Sequence, residues 1–512
     1  MIKFILIFLL VSFNVKAIET YFCNNDIENL PIQQNGRVKP LLVHATESIK
    51  ELTQKSSFEN FNAVETYCLL SAKAFGLNAE IKLEAIVEHV KLKSFLNFKE
   101  NQKTIAYDDL LNYEESIKLE MRSTKENDSY KKAVKKLYNQ VSLYKDIISG
   151  TNWMLAAIVD NKLEWQPIAE FLTEGKVKIA SSSSNNNPFN IVLKSSALNY
   201  YNLNPDMQNK IKIEIFYAHS NLVSIALMIT FLGLMVGIGF KNNNYAAMLI
   251  IITSIVQIIL ISIRVYISSR APITNMYETV LSSGTGGIIL STFLFYYFKD
   301  PIYVLVGLAY NLCALLMLNF ANGMLSATIS PLVPVLRDNF WLSTHVTTVI
   351  LSYGALALSW ILSNYVLYLK IKKRLNTSEK NYYAEKIYTI LKFGTVLLAI
   401  GIILGGVWAD YSWGRFWGWD PKETWSLIVF CIYMAILHGR YTNWIKNEQF
   451  FIYTSAAFLS VMMAWFGVNY ILATGLHSYG FSEGGALFLG VFFLLQVLFL
   501  IITKFYKESD IY

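Results

Sequence analysis

From about residue 220 to residue 503 the chain returns repeatedly to apolar runs long enough to cross a bilayer. A hydrocarbon layer roughly 30 Å thick is spanned by about 20 consecutive apolar residues in a helix. Nine such runs are expected, near 220–240, 245–266, 281–299, 302–323, 344–370, 389–407, 422–439, 450–473 and 485–503. Residues 18–215 are polar and charged instead, although the whole chain is 54% hydrophobic. The expected fold class is therefore all-α. A polytopic helical membrane domain (216–512) follows an exported, mainly helical soluble domain (18–215). In the soluble domain Val134, Leu137, Val141, Tyr144 and Ile148 repeat at spacings of three and four, which predicts an amphipathic helix facing that domain's core. Ser181–Asn187 reads as a flexible polar loop.

Met1–Ala17 has the form of a secretory signal, with Lys3 as positive flank, Phe4 to Phe13 as apolar core and Val15-Lys16-Ala17 at the cleavage position. The alternative is an uncleaved anchor, for which the core is short. Either way the soluble domain is exported. The net charge of +7 does not point to nucleic acid. Lys370, Lys372, Lys373, Arg374, Lys380 and Lys386 crowd one loop between spans, and Arg440, Lys446, Lys504 and Lys507 fall on the same side. The positive-inside bias makes that side cytoplasmic. Of the four cysteines, Cys313 and Cys431 lie within spans and are expected to be small core residues. Cys23 and Cys68 share the exported domain, where pairing and two separate thiols are both open. No Cys-x-x-Cys occurs, which excludes a thioredoxin-like reductase and a cytochrome carrying its own attached haem.

Residues 407–425 hold the densest chemistry. Trp408, Trp413, Trp417, Trp419 and Trp425 fall within eighteen residues between two spans. Aromatic residues at a membrane surface are ordinary, but a cluster interrupted by glycines predicts an apolar shelf for a large planar ligand. Counting crossings places His345, at the start of the fifth span, and His477, after the eighth, on the same outer face as this loop. A planar aromatic ligand between two imidazoles describes haem, with neutral imidazole as the iron ligand. His438 ends the seventh span one crossing away, at the cytoplasmic end. A histidine at membrane depth is a functional candidate, and snorkelling together with Arg440 is the competing account. Asp420, Pro421 and Glu423 form the start signal of a helix, so a capping role explains both acids better than catalysis. Arg415 and Lys422 are candidates for the haem propionates or for anchoring at the membrane surface.

The segment Trp413-Gly-Arg-Phe-Trp417-Gly-Trp419-Asp420-Pro-Lys-Glu-Thr-Trp425 resembles the tryptophan-rich WWD signature of haem-handling proteins in cytochrome c maturation. More narrowly, the chain resembles the CcsA (ResC) component of the system II cytochrome c synthase. Trp341-Leu-Ser-Thr-His345-Val, Tyr353-Gly-Ala, Leu437-His438-Gly-Arg440, Gly475-Leu-His477-Ser-Tyr-Gly480 and Pro272-Ile-Thr-Asn275-Met-Tyr277-Glu278 add to the likeness, which covers about residues 215–503. Leu30 to Leu41 is similar to a segment upstream of the core in some bacterial relatives.

The resemblance implies that His345 and His477 are axial ligands of haem b held on Trp413, Trp417, Trp419, Asp420 and Arg415, and that His438 supplies one ligand of an inner site. It implies a separate ResB (CcsB)-like membrane partner, an apocytochrome c substrate, a thiol-reducing thioredoxin-like protein, and the bacterial inner membrane with the exported domain and WWD loop on its periplasmic face. The expected activity is that of a holocytochrome c synthase component, a cytochrome c haem lyase. A haem transporter or chaperone without synthase activity is the alternative. A small-molecule permease would need a polar site on broken helices at mid-membrane, for which only Gly284, Gly286 and Gly287 offer flexibility. A quinone-linked electron carrier would place paired histidines within spans.

Overall fold

The computed structural model describes residues 27–75, 81–99, 101–123, 129–173, 188–239, 243–321, 323–331, 338–372, 375–472 and 485–505. Met1–Ala17, Cys23, Ser181–Asn187 and His477 lie outside these residues. The chain divides into two compact units, Met1–Ile215 and Phe216–Tyr512.

The first unit is helical, with four antiparallel two-stranded sheets among its described residues that helical periodicity could not reveal. Its first hairpin, β1 (Pro31–Gln34) with β2 (Arg37–Pro40), turns through Asn35 and Gly36 at φ 52° and 81°. That left-handed pair is the two-residue turn whose twist suits antiparallel strands. The hairpin's second strand is held by ion pairs, Arg37 with Glu214 and Lys39 with Glu47. Helix α1 (Leu41–Thr53) follows, then α2 (Ala63–Ser71), and α3 (Ser129–Ile148) carries the expected stripe. Val134, Leu137, Val141, Tyr144 and Ile147 are buried, so Ile147 rather than Ile148 closes it. Cys68 is buried and disulfide-bonded.

The polar centre of this unit is His44, fully buried on α1. Its Nδ1 lies 3.1 Å from Gln34 Oε1, and its Nε2 lies 2.9 Å from Tyr67 Oη and 2.7 Å from Asn152 Oδ1. Desolvation, and then the charge of Lys39, pull its pKa from 6.5 to about 3, against a smaller opposing contribution from Asn152. The imidazole is therefore neutral in the fold and takes up a proton on unfolding below pH 6.5. Because the unfolded state binds more protons in that window, stability rises with pH between about 3 and 6.5 and is lost as pH falls through it. By pH 5 the loss is about 2 kcal/mol. Hydrogen exchange of residues 41–53 in the full-length protein at pH 7 and pH 5 should show it, with His44→Gln flattening the difference.

Among the described residues of the second unit, eight helices are long and apolar enough to cross a membrane: Leu222–Gly239, Asn243–Ser268, Met276–Phe298, Ile302–Phe320, Asn339–Lys372, Thr377–Trp413, Asn447–Leu472 and Gly485–Phe505. Nine were expected. The remaining run does form a helix, Pro421–Tyr441, but Lys422, Glu423, His438 and Arg440 at its ends dilute its apolar stretch. At about 1.5 Å per residue its 21 residues rise roughly 31 Å. The helices that build the site are α4 (Met276–Phe298), α5 (Thr347–Lys372), α6 (Thr377–Trp413), α7 (Pro421–Tyr441) and α8 (Asn447–Met462). α6 is far longer than the expected run 389–407, because Asn376 and Glu379 form a capping box that makes the basic segment before it helical as well.

Close packing sets this bundle's geometry. A side chain at Gly286 would meet Leu351 Cδ2 at 2.2 Å, and one at Gly287 would meet Tyr310 Cδ1 at 2.7 Å. These glycines bring helices together, as small residues do in membranes, instead of loosening the third span. Cys313 and Cys431 are exposed on the helix surfaces, not in the core as expected. Polar side chains tie the last helix, Gly485–Phe505, to its neighbours. Gln496 Oε1 accepts from Trp360 Nε1 at 2.9 Å, and Gln496 Nε2 donates to Ser455 Oγ at 2.8 Å and Asn364 Oδ1 at 3.1 Å.

Candidate functional site

The five tryptophans do not share one loop. Trp408 and Trp413 belong to α6, Trp425 to α7, and only Trp417 and Trp419 lie in the connection 414–420. Gly414, at φ 65°, ends α6 with its N–H bonded to Asp410 O at 2.8 Å, a left-handed cap that glycine adopts without penalty. Trp419 also takes φ 57°, a costly conformation for an aromatic residue, and is 69% exposed. Asp420 caps α7 by accepting from Glu423 N at 2.9 Å, while Glu423 Oε2 accepts from Gly418 N at 2.6 Å and Asp420 N at 3.4 Å. The acids thus fold the turn back onto the helix, as the start signal implies.

Against this turn lies a cavity of about 1160 Å³ of empty space, its open mouth included. Trp408, Phe416, Trp417, Tyr353 and Trp465 supply aromatic walls, and His345, Lys422, Asn469 and Thr279 are among its polar groups. Trp408 packs on Ile273 and Leu342, joining α6 to two other elements. The buried Nε1 donors of Trp408 and Trp417 have no hydrogen-bond partner among the described residues. Trp413, Trp419, Arg415 and Asp420 do not line this cavity. Arg415 lies over the Trp413 ring at 5.8 Å and 3.8 Å from Glu423 Oε1.

His345 sits in a wide π-type turn, Leu342–Val346, just before α5. Such turns recur at functional sites, and no sequence spacing announces them. The ring stands edge-on to Trp408 at 5.8 Å. Its Nδ1 lies 2.8 Å from the Gly401 carbonyl oxygen. A carbonyl only accepts, so Nδ1 carries the proton and Nε2 carries the lone pair, the arrangement typical of a metal-ligating imidazole. His438 repeats the pattern at the far end of α7, where its Nδ1 donates to Met434 O at 2.8 Å. Seventeen residues from Pro421, it lies about 26 Å along the helix and is exposed on its surface. Sequence reasoning missed the contribution of Thr279, Trp465 and Asn469 to the cavity, because these residues read as ordinary span positions, and it quoted Tyr353 within a motif without giving it a role. Asn275 and Met276, quoted within a motif above, line it too.

A helical polytopic bundle with an imidazole-bearing cavity at one end defines the class, an all-α membrane protein. The pattern of the Cytochrome C assembly protein family matches residues 199–477, more than half of the chain. Cytochrome c biogenesis protein CcsA of Chlamydomonas reinhardtii is 35% identical over 243 residues, covering 45% of this chain and 67% of that protein. CcsA of Guillardia theta is 30% identical, covering 53% and 98%. Protein NrfI of Wolinella succinogenes is 37% identical over 222 residues, 42% of this chain and 24% of that one. The solved structure of Cytochrome c Heme Lyase CcmF aligns with TM-score 0.40 and 16% identity over 55% of this chain and 50% of that chain, a likeness too distant to bear on function. The chain belongs to the cytochrome c assembly family and is of the CcsA type. It acts in cytochrome c biogenesis as a multi-pass membrane protein.

Proposed function

We propose that this protein receives haem b near His438 on the cytoplasmic side, holds it in the aromatic cavity on the outer face, and positions it for attachment to apocytochrome c. His345 supplies one axial nitrogen and His477 the other. The observation that carries this reading is the His345 imidazole, inside the cavity and in the Nε2-ligating tautomer. The cavity fits haem in two further respects. Five aromatic rings line it, and the indole N–H groups of Trp408 and Trp417 are donors awaiting an acceptor, which a propionate oxygen supplies. Lys422 adds a cation at the same wall. Trp413, Trp419, Asp420 and Arg415 act one step back, shaping the turn that presents Trp417.

Attachment needs no nucleophile from this chain. Each thiol of a Cys-x-x-Cys-His segment adds across a haem vinyl group: the sulfur bonds one vinyl carbon, the thiol hydrogen ends on the other, and no electrons are gained or lost. The protein's contribution is to hold vinyl and thiol together, which makes a slow encounter intramolecular. The substrate histidine then displaces one of the two imidazoles and releases the product. A ResB-like membrane partner supplies the second inner ligand opposite His438, and a thioredoxin-like protein keeps the substrate thiols reduced. The membrane is the bacterial inner membrane, with the basic ends of the helices in the cytoplasm.

Co-expression with a ResB-like partner and an apocytochrome carrying Cys-x-x-Cys-His tests this reading. Covalently attached haem is expected, and His438→Ala should lower haem loading and product together, with added imidazole restoring both. Haem bound without any attachment would leave a transporter in place of a synthase.

A further inference from the structure

Gly401 and Gly405 stand one helical turn apart on α6, directly beneath the His345 ring. A side-chain carbon at Gly405 would lie 2.5 Å from His345 Cε1, 3.0 Å from Nδ1 and 3.1 Å from Nε2. No real Cβ tolerates the first of these contacts, so the ring, which stands edge-on to Trp408 of α6, must turn or shift. In a helix, side chains tilt toward the N-terminus and cover the turn before them. The residue at 405 therefore covers the carbonyl of residue 401, and glycine leaves it open. The Gly401 carbonyl is the one that His345 Nδ1 reaches at 2.8 Å. Gly401 brings the two helices close at this level, since a side chain there would meet Val349 Cγ2 at 2.7 Å and Val349 N at 3.3 Å.

We propose that Gly405 is a positioning residue for the haem ligand: by lacking a side chain it uncovers the Gly401 carbonyl, which fixes the tautomer and the plane of His345. This rests on the reading of His345 as an iron ligand. A partner carbonyl on the distal nitrogen strengthens an imidazole ligand, and losing such a partner costs about 10–100-fold in metal affinity. Gly405 thus acts on haem affinity and on the haem's redox potential through the His345 ring.

The test compares three variants of the full-length protein, purified with its partner and titrated with haem b. Gly405→Ala is expected to weaken haem binding ~10–100-fold, remove the low-spin spectrum and shift the midpoint potential, with imidazole restoring the spectrum. Gly394→Ala is the packing control. It lies on the same helix, where its new carbon meets Leu356 Cδ2 at 2.7 Å and no histidine, and it should leave spectrum and potential unchanged. His345→Gly tests the underlying reading. If His345→Gly loses the low-spin haem while Gly405→Ala keeps native affinity, spectrum and potential, the role of Gly405 is overturned and the ligand reading stands. If both glycine variants lose haem alike and imidazole rescues neither, the effect is packing damage and the proposal fails. If His345→Gly changes nothing, the ligand reading falls first.

Discussion

Replacing His345 with glycine is expected to abolish the low-spin haem of the outer site while the protein still inserts, and millimolar imidazole should restore it. The loss should exceed the ~10–100-fold cost of removing an outer-shell partner, since the iron's own ligand is gone. The cavity left behind retains its aromatic walls, so porphyrin stays loosely associated and only the iron loses its nitrogen. Added imidazole restores the ligand but not its tether, and the recovered spectrum should therefore be low-spin with a faster haem dissociation rate. Absorption spectroscopy of the purified protein, with haem transfer to apomyoglobin as the rate assay, checks both. An unchanged spectrum removes His345 as a ligand.

The second large effect concerns stability. Arg264 and Glu278 form an ion pair at 2.7 Å, with side chains 0% and 1% exposed. Arg264 also donates to Tyr217 Oη at 3.0 Å and Ala327 O at 3.1 Å, and it lies over the Tyr277 ring at 5.2 Å. Glu278 Oε2 accepts from Thr274 N at 2.9 Å and Thr274 Oγ1 at 2.8 Å. Removing one member of a fully buried pair strands the other charge and costs about 3–5 kcal/mol. Glu278→Ala and Arg264→Ala should each destabilise the membrane unit by that order. Arg264→Met with Glu278→Leu should destabilise it much less than the sum of the two singles. Unfolding in detergent, read as a double-mutant cycle, gives the coupling. The Glu278 carboxylate also holds Thr274, which lines the cavity, so either single variant should also weaken haem binding.

The membrane bundle was legible because span length follows from hydrocarbon thickness, and apolar runs announce it directly. The start of α7 was legible because Asp420, Pro421 and Glu423 are local chemistry. What lay hidden depends on contacts between distant positions. His345 and Gly401 are 56 residues apart, and nothing in either neighbourhood names the other. The wide turn carrying His345 has no composition signal. The tryptophans looked like one shelf because their spacing in sequence is short, yet α6 runs through Trp413 and divides them between two helices and a turn. The polar cluster of Trp360, Asn364, Ser455 and Gln496 was invisible because each residue reads alone as a tolerated polar substitution in an apolar run.

The two candidate ligands at opposite ends of the bundle are held alike, each imidazole donating through Nδ1 to a helix carbonyl, Gly401 O for His345 and Met434 O for His438. On the proposed route the iron would meet the same tautomer at both ends, and this pairing by itself favours neither. A direction would then come from the far end, where forming carbon–sulfur bonds withdraws the cargo and lets the next molecule follow.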